Sequence, residues 1–374
     1  MERSLHIVSP DIPYPADEGR FLDIFYKIRN LHSEGIHIKL HCFQDNRPEE
    51  PEELKKYVKE LYYYPIGNGH KGFSFSIPYN VASRYSEDLK LNLLKDSDPI
   101  LLEGVQAAYI TKDDRFAERR IAIRITQLEH QFYEQSSSVS LSLVKKFMYS
   151  HEACLFRKFE MSLPKDLLIF NANRNDGEYI GWEFKWKNNR HIPFFLPFQE
   201  VNSTEGLGTY CLYHGNLGRP ANERAAFFLL DKVFKNSRIP FVITGKNPSR
   251  KLIKAAKSSH YSCIVENPSE AELQDMIMRA QVNILPSFIE SGTPIKLLNT
   301  LFNGKHCVVN EKMVKGTGLE PACHIAANAN SFRRIVEQLF HLPFPPEEIE
   351  LRKRLLEVEY NNQQNARMII QHLW

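Results

Sequence analysis

The chain has 374 residues, more than one ordinary domain uses, so two domains are expected. It is 43% hydrophobic and 25% charged, with a mean hydropathy of −0.40, the composition of a globular protein. No run approaches the roughly 20 apolar residues of a membrane span, and 48 basic against 45 acidic residues leave a net charge of +3, which gives no sign of a nucleic-acid partner.

The first residues, MERSLHIVSPDIPYPADEGR, run straight into a strand without a signal-peptide apolar core, so a cytoplasmic protein is expected. Strands are expected at Leu5–Ser9, Ile36–Phe43, Leu61–Tyr64, Ile100–Glu103, Ile121–Ile125, Leu167–Asn171 and His191–Phe195. Helices fit Arg20–Glu34, Pro51–Glu60 and about Leu141 to Met161. The stretch 65–98, rich in Pro, Gly, Ser and Tyr, reads as a long loop over a cleft. Strands alternating with helices imply a mostly parallel sheet with helices on both faces. The polar stretch from Pro197 to Gly208 then reads as a linker.

A second series follows. Strands Cys211–His214, Pro240–Thr244, Ser262–Val265, Val282–Leu285, His306–Asn310 and His324–Ala327 alternate with helices near 221–235, 249–258, 270–280, 294–303 and 331–340. The last stretch, Pro346 to Trp374, reads as helix that packs back on the first domain. The expected fold is α/β, with two doubly wound Rossmann-like domains facing across a cleft. Residues 1–200 are expected to form the first domain, 205–345 the second, and 346–374 the closing helical segment.

The most informative stretch is QVNILPSFIESGTPIKLLNTLFNGKHCVVN, residues 281–310, a strand, a polar loop, a helix with Pro294 in its first position, and a second strand. Loops at the carboxyl ends of parallel strands are where open sheets bind ligands. The free N–H groups of a helix start suit a phosphate. The carboxylate of Glu290 suits sugar hydroxyls better, and Ser291, Gly292, Thr293 and Pro294 supply the loop. Together they suggest a sugar nucleotide; an ordinary βα turn with a surface glutamate gives the same pattern.

In YHGNLGRPANERAA, residues 213–226, Gly215 permits a tight turn into a helix, and Arg219 or Arg224 could meet a pyrophosphate or simply face solvent. Lys246 and Lys296 are further candidate phosphate cations. In the first domain Gly19 stands at a helix start after the first strand. Arg124, Gln127, Glu129 and His130 leave a later strand in close succession, as acceptor-binding or reaction-orienting groups or as plain surface charge.

Several signals fit poorly. Gly67–Gly72 spells GxGxxG but precedes FSFSIP rather than a helix, and Gly245-Lys246 lacks the rest of a P-loop. Asp96-Ser97-Asp98 precedes a strand and reads as a turn, and His32, His37 and His41 share no metal-ligand spacing. Cys42, Cys211, Cys263 and Cys307 fall in strands as small buried hydrophobes, and the six cysteines form neither a disulfide framework nor a zinc site.

With these loops in order, the chain resembles glycosyltransferases of the GT-B fold, specifically the large retaining family 4. The resemblance covers nearly the full length and is strongest from about 211 to 330. YHGNLGRPANERAA resembles the first loop of the family's second domain, IPFVITGKNP its second strand and turn, and the 281–310 stretch its donor-binding core. SPDIPYPADEGR resembles the N-terminal loop that usually ends in paired glycines, and RITQLEHQFY an R-x-H-N-x-E segment of some bacterial members.

There are departures. The family's two glutamates, eight residues apart, would fall at Ser291 and Asn299, and the Arg and Lys that clamp the pyrophosphate are replaced by Asn216 and Asn222. The N-terminal glycine pair is Glu18-Gly19, and the His-Asn pair is Thr126-Gln127.

The resemblance implies transfer from a nucleotide-diphosphate sugar to a glycan or lipid-linked acceptor, with retention, no essential metal and no cofactor besides the donor. Peripheral contact with the inner face of a membrane is part of the same expectation. Glu290, Lys296 and Glu129 are the expected catalytic groups. Gly19, Gly215, Asn216, Lys246, Ser291, Gly292, Thr293, Pro294 and Asn299 are expected at the donor, and Arg124 and Gln127 at the acceptor. The competing readings are a non-catalytic sugar- or nucleotide-binding protein, favoured by the missing clamp, and a sugar-nucleotide epimerase.

Overall fold

The structure, a computed structural model, describes residues 2–16, 19–44, 51–67, 75–140, 142–290 and 294–374. The chain divides into two compact units. The first comprises Met1–Glu134, Met148–Pro197 and Tyr360–Trp374, and the second Gln135–Phe147 and Phe198–Glu359.

The first unit carries β1 (Arg3–Ser9), α1 (Gly19–Ser33), β2 (Ile36–Gln44), α2 (Glu52–Lys55), β3 (Glu60–Pro65), α3 (Tyr79–Ala82), α4 (Glu87–Leu93) and β4 (Ile100–Glu103). A 3₁₀ segment, Val105–Lys112, leads to β5 (Ile121–Ile125). Then come α5 (Glu129–Val139) and α6 (Leu143–Met161), whose adjoining ends within Gln135–Phe147 count with the second unit, and β6 (Leu168–Asn171), α7 (Arg174–Tyr179) and β7 (Asn189–His191). The strands form one parallel sheet in the order β3-β2-β1-β4-β5-β6-β7. β4 and β5 are buried along their whole length, as strands covered on both faces must be.

Three local expectations are corrected here, and one unexpected helix, α5, is added. The helix expected at Pro51–Glu60 is only Glu52–Lys55, because Glu60 already pairs with Lys39 in the sheet. The strand expected at His191–Phe195 is Asn189–His191, after which Arg124 binds the carbonyls of Ile192 and Pro193 in place of a ladder. The stretch 65–98 is not all loop; α3 and α4 lie in it, and Ser86 caps α4 by accepting from Leu89 N–H. The long helix starts at Leu143, with α5 a separate helix before it.

The second unit has β8 (Cys211–His214), α8 (Pro220–Phe228), β9 (Phe241–Gly245), α9 (Arg250–Lys257), β10 (Ser262–Glu266), α10 (Glu270–Arg279) and β11 (Val282–Leu285). It continues through α11 (Ile295–Asn303), β12 (His306–Val309), α12 (Glu311–Val314), β13 (His324–Ile325), α13 (Ala329–Phe340) and α14 (Pro346–Leu356). Its parallel sheet runs β10-β9-β8-β11-β12-β13. β8, β11 and β12 are buried throughout, whereas the edge strand β10 leaves Cys263 exposed, contrary to the expectation of a buried thiol.

The C-terminal stretch is two helices rather than one. α14 stays with the second unit, where the Arg352 guanidinium donates to the carbonyls of Gly304 and Lys305, both at 2.6 Å. α15 (Asn362–Leu373) belongs to the first, where Ala366, Ile369 and Leu373 join Ile24 and Ile28 of α1 in one apolar core. Asn361 caps α15, and Asn362 makes a two-way bond with the backbone of Leu196.

Candidate functional site

In the second unit the chain order reverses between β8 and β11, the point where a doubly wound sheet opens a crevice at its carboxyl edge. On one side β8 ends at buried His214 and turns at Gly215, whose φ of +155° favours glycine. The neighbouring turn is as tight: a Cβ on Gly245 would come within 1.7 Å of the Gly215 carbonyl oxygen. Asn216 shapes the turn by accepting from Gly218 N–H at 3.1 Å, and Asn222 of α8 donates back to its carbonyl at 2.9 Å. The Tyr213 hydroxyl donates to the Asn222 carbonyl at 3.0 Å, which fixes the first turn of α8 over the strand.

On the other side β11 runs into Pro286, and Asn310 at the end of β12 holds the loop. Its side chain accepts from Ser287 N–H at 2.8 Å and donates to the Ser287 carbonyl at 2.7 Å. Arg224 lies 4.5 Å over the ring of Phe288 and is spent on that face. α11 begins at Ile295, with Pro294 as its N-cap rather than its first residue.

Lys296, in the first turn of α11, reaches across the crevice. Its Nζ donates to Asn222 Oδ1 at 3.1 Å and lies 5.2 Å over the Tyr213 ring. Enclosure by protein, and then the charge of Arg219, bring its pKa down to about 8. Below Lys296, His214 bonds Thr300 through Nε2 at 3.0 Å. Burial, and then Lys296 itself, hold that imidazole neutral with a pKa of about 3. Lys296 and Arg219 thus bring positive charge to the site beside a neutral imidazole, an arrangement suited to an anion.

The other second-unit residues fall around this centre. Glu290 is exposed and faces Lys315 at 3.3 Å and Lys312 at 4.0 Å. Lys246 sits in the turn after β9, where its carbonyl accepts from Leu217 N–H at 2.8 Å. Asn299 is 9% exposed, and its Oδ1 accepts from Asn303 at 2.9 Å, so it faces its own helix. Ser291, Gly292 and Thr293 lie outside the described residues, as does most of the Gly67–Gly72 stretch.

In the first unit Gly19 is the exposed first residue of α1. Arg124 is not at an acceptor surface: it is 1% exposed, and it donates to Asp23 at 3.1 Å and to the Pro193 carbonyl at 2.9 Å. Lys27 and Glu103 complete this buried cluster at 2.7 Å. Burial pushes the Glu103 carboxyl up. Burial also opposes ionisation of Asp23, but Arg124 and Lys27 hold that carboxyl below its ordinary range. Gln127 is half-buried, and Glu129, at the start of α5, accepts from Gln106 at 3.1 Å. Beside them His130 bonds Glu160 at 2.6 Å, and burial raises the Asp176 carboxyl to about 7.

Asp96 and Asp98 do more than form a turn. With His6 they place three donor atoms within 4.8 Å, a spacing that could hold a metal ion. Lys39 already binds both carboxylates, at 2.5 and 2.9 Å, and Arg119 binds Asp96 at 2.9 Å, so the positive charge there comes from side chains.

Sequence reading missed Tyr213, Thr300 and Asn310 as parts of the centre. Asn310 had a signal, an Asx residue directly after a strand at the sheet's carboxyl edge; the other two look like core residues until β8 and β11 are paired.

This arrangement can be set beside known proteins. A solved sucrose-phosphate synthase from Thermosynechococcus elongatus superposes with a TM-score of 0.72, covering 99% of this chain and 98% of its own at 12% identity. WaaG, a glycosyltransferase involved in lipopolysaccharide biosynthesis, superposes at 0.66 over 99% and 98%, with 11% identity. The chain has the GT-B fold. Identities this low carry the GT-B architecture and nothing finer. No protein-family model matches the chain. A 44.6 kDa uncharacterized protein in the cps region of Klebsiella pneumoniae is 27% identical over 332 residues, 83% of this chain and 84% of its own.

Proposed function

We propose that this chain is a glycosyltransferase that moves a sugar from a nucleoside-diphosphate sugar to a glycan or lipid-linked acceptor. The observation that carries the reading is Lys296. A half-buried lysine that, among the described residues, hydrogen-bonds a neutral amide at the switch point of a doubly wound sheet suits the diphosphate of such a donor. WaaG, of the same fold, is described as a glycosyltransferase, which supports the reaction class.

In this reading the donor lies against the second unit, with its diphosphate between the Gly215 turn and the start of α11. Lys296, aided by Lys246, offsets the charge that develops on the leaving diphosphate, the main electrostatic task in the transition state. Glu290, held by Lys315, receives sugar hydroxyls. The bond from the anomeric carbon to the diphosphate breaks while the acceptor oxygen bonds on the same face, and the acceptor's proton passes to the leaving phosphate oxygen. This route retains configuration and requires no metal. The protein works in the cytoplasm, with peripheral contact to the membrane's inner face. Among the described residues no helix is long and apolar enough to cross a membrane.

A second reading, a nucleotide-sugar-binding protein without transfer, is favoured by Asn299, which turns to Asn303 instead of presenting a carboxylate. Incubation with a panel of nucleotide sugars and glycan or lipid acceptors separates the two. Release of nucleoside diphosphate with a product of unchanged anomeric configuration supports transfer. Saturable binding without any turnover supports the second reading.

A further inference from the structure

The second unit sets two thiols side by side. β12 and β13 pair in parallel with Val308 opposite His324, so Cys307 and Cys323, one position earlier on each line, stand opposite each other. Cys323 has extended backbone, φ −130° and ψ 149°, and continues the line of β13. Alternation along the strands sends both thiols to one face. The other face agrees with this register, since the rings of His306 and His324 meet there with centroids 5.6 Å apart. Neighbouring strands lie ~4.8 Å apart, inside the roughly 4.4–6.8 Å between α-carbons that a disulfide spans. Both thiols are free, and they share a hydrogen bond.

Cys307 is fully buried, whereas Cys323 is half-buried, so a small oxidant meets Cys323 first. The Arg352 guanidinium is the cation beside them. It donates to the carbonyls of Gly304 and Lys305, but its buried Nε has no hydrogen-bond partner. Contact with Cys307, and then burial, push the Cys323 thiol up, while the charge of Arg352 favours its thiolate.

The chain between the two thiols carries groups that shape the crevice. Asn310 holds the backbone of Ser287, and Lys312 and Lys315 face Glu290. A bond between the sulfurs closes that segment into a ring and narrows its freedom.

We propose that Cys307 and Cys323 are a redox pair, joined by a hydroperoxide into a disulfide that restrains the segment holding Ser287 and Glu290. The Cys323 sulfur attacks the peroxide and its O–O bond breaks. One oxygen stays on sulfur as a sulfenic acid, and the other leaves with a proton as water or alcohol. The Cys307 sulfur then displaces the hydroxyl, the S–S bond forms, and water carries off the last thiol proton. Two thiols are oxidised and one peroxide is reduced; a dithiol reverses the bond by exchange. The pair needs no nucleotide, so it stands whether or not the donor reading holds.

The test treats the dilute, freshly reduced full chain with hydrogen peroxide, then maps its peptides by mass spectrometry without reduction. A Cys307–Cys323 link that dithiothreitol removes is expected, at least about tenfold more abundant than any link through the exposed Cys154 or Cys263. Because the thiolate attacks, the rate should rise about tenfold between pH 7.5 and 8.5. Amide exchange across residues 310–316 should slow about threefold or more in the oxidised chain. Cys323→Ala, at the half-buried position, should show neither the link nor the slowing. Free thiols after excess peroxide, a sulfinic acid on Cys323 without the link, or the same slowing in Cys323→Ala overturns the proposal. The link without slower exchange overturns the restraint on the segment.

Discussion

The ammonium of Lys296 meets the side-chain oxygen of Asn222 at 3.1 Å, although the two residues are 74 positions apart. One stands in the first turn of α11 and the other in the first turn of α8, on opposite sides of the switch point between β8 and β11. The relationship matters because Asn222 occupies the place of the clamp lysine in the family that the sequence resembles. The cation is supplied from the other helix.

The charge of Lys296 should follow pH in a range that is easily reached. With a pKa near 8 it is charged below that value and neutral above it. Affinity for a nucleoside diphosphate should be level up to about pH 7 and fall as pH rises through 8. A bound dianion raises the pKa again, so binding at pH 8 should take up about half a proton. Calorimetry in buffers of different ionisation enthalpy measures that uptake; none at pH 8 would contradict the assigned role.

A separate pH dependence belongs to the first unit. His6 bonds His41 at 2.9 Å, and His41 bonds the Tyr64 hydroxyl at 2.8 Å. Burial lowers both imidazole pKa values, so below 6.5 the unfolded chain binds more protons and stability falls as pH falls. Denaturant midpoints should drop between pH 7 and pH 5. His41→Phe should flatten the curve while costing about 1–3 kcal/mol at pH 7, because Tyr64 and His6 lose a buried partner.

Asp23→Ala should be severe. Its carboxylate is fully buried and meets Lys27 at 3.0 Å and Arg124 at 3.1 Å, so its loss leaves two buried cations against Glu103 alone. A loss of about 3–5 kcal/mol is expected from urea unfolding of the first unit. A change under about 1 kcal/mol would show that the cluster relaxes or hydrates.

Gly245→Ala tests the turn pair at the crevice. The φ of +151° strains any side chain, and the new Cβ would strike the Gly215 carbonyl oxygen. Strain alone costs about 1–3 kcal/mol, and the displaced turn should also weaken nucleotide binding. Wild-type melting with wild-type binding would refute the close contact.

Much of this architecture was legible because buried parallel strands write short apolar runs. Val282–Leu285 and Ile121–Ile125 have the extents expected from sequence. Glu60 was misread because Glu52–Lys55 starts a helical pattern that only the pairing of Glu60 with Lys39 cuts short. Arg124 was misplaced for a related reason. A polar run leaving a strand looks like a site, and nothing local reveals that Asp23 of α1 converges on it in the interior. The Lys296–Asn222 contact was out of reach of sequence, since it depends on β11 lying beside β8.

The central claim is that the crevice of the second unit binds a nucleoside diphosphate through Lys296. The most direct measurement is calorimetric titration of the wild type, Lys296→Ala and the exchange variant K296N/N222K with UDP and GDP. The account predicts saturable wild-type binding to one nucleotide, at least about tenfold weaker binding for Lys296→Ala, and recovery in the exchange variant, which returns the cation to the facing helix. Wild-type affinity in Lys296→Ala, or no binding of either nucleotide, would contradict it.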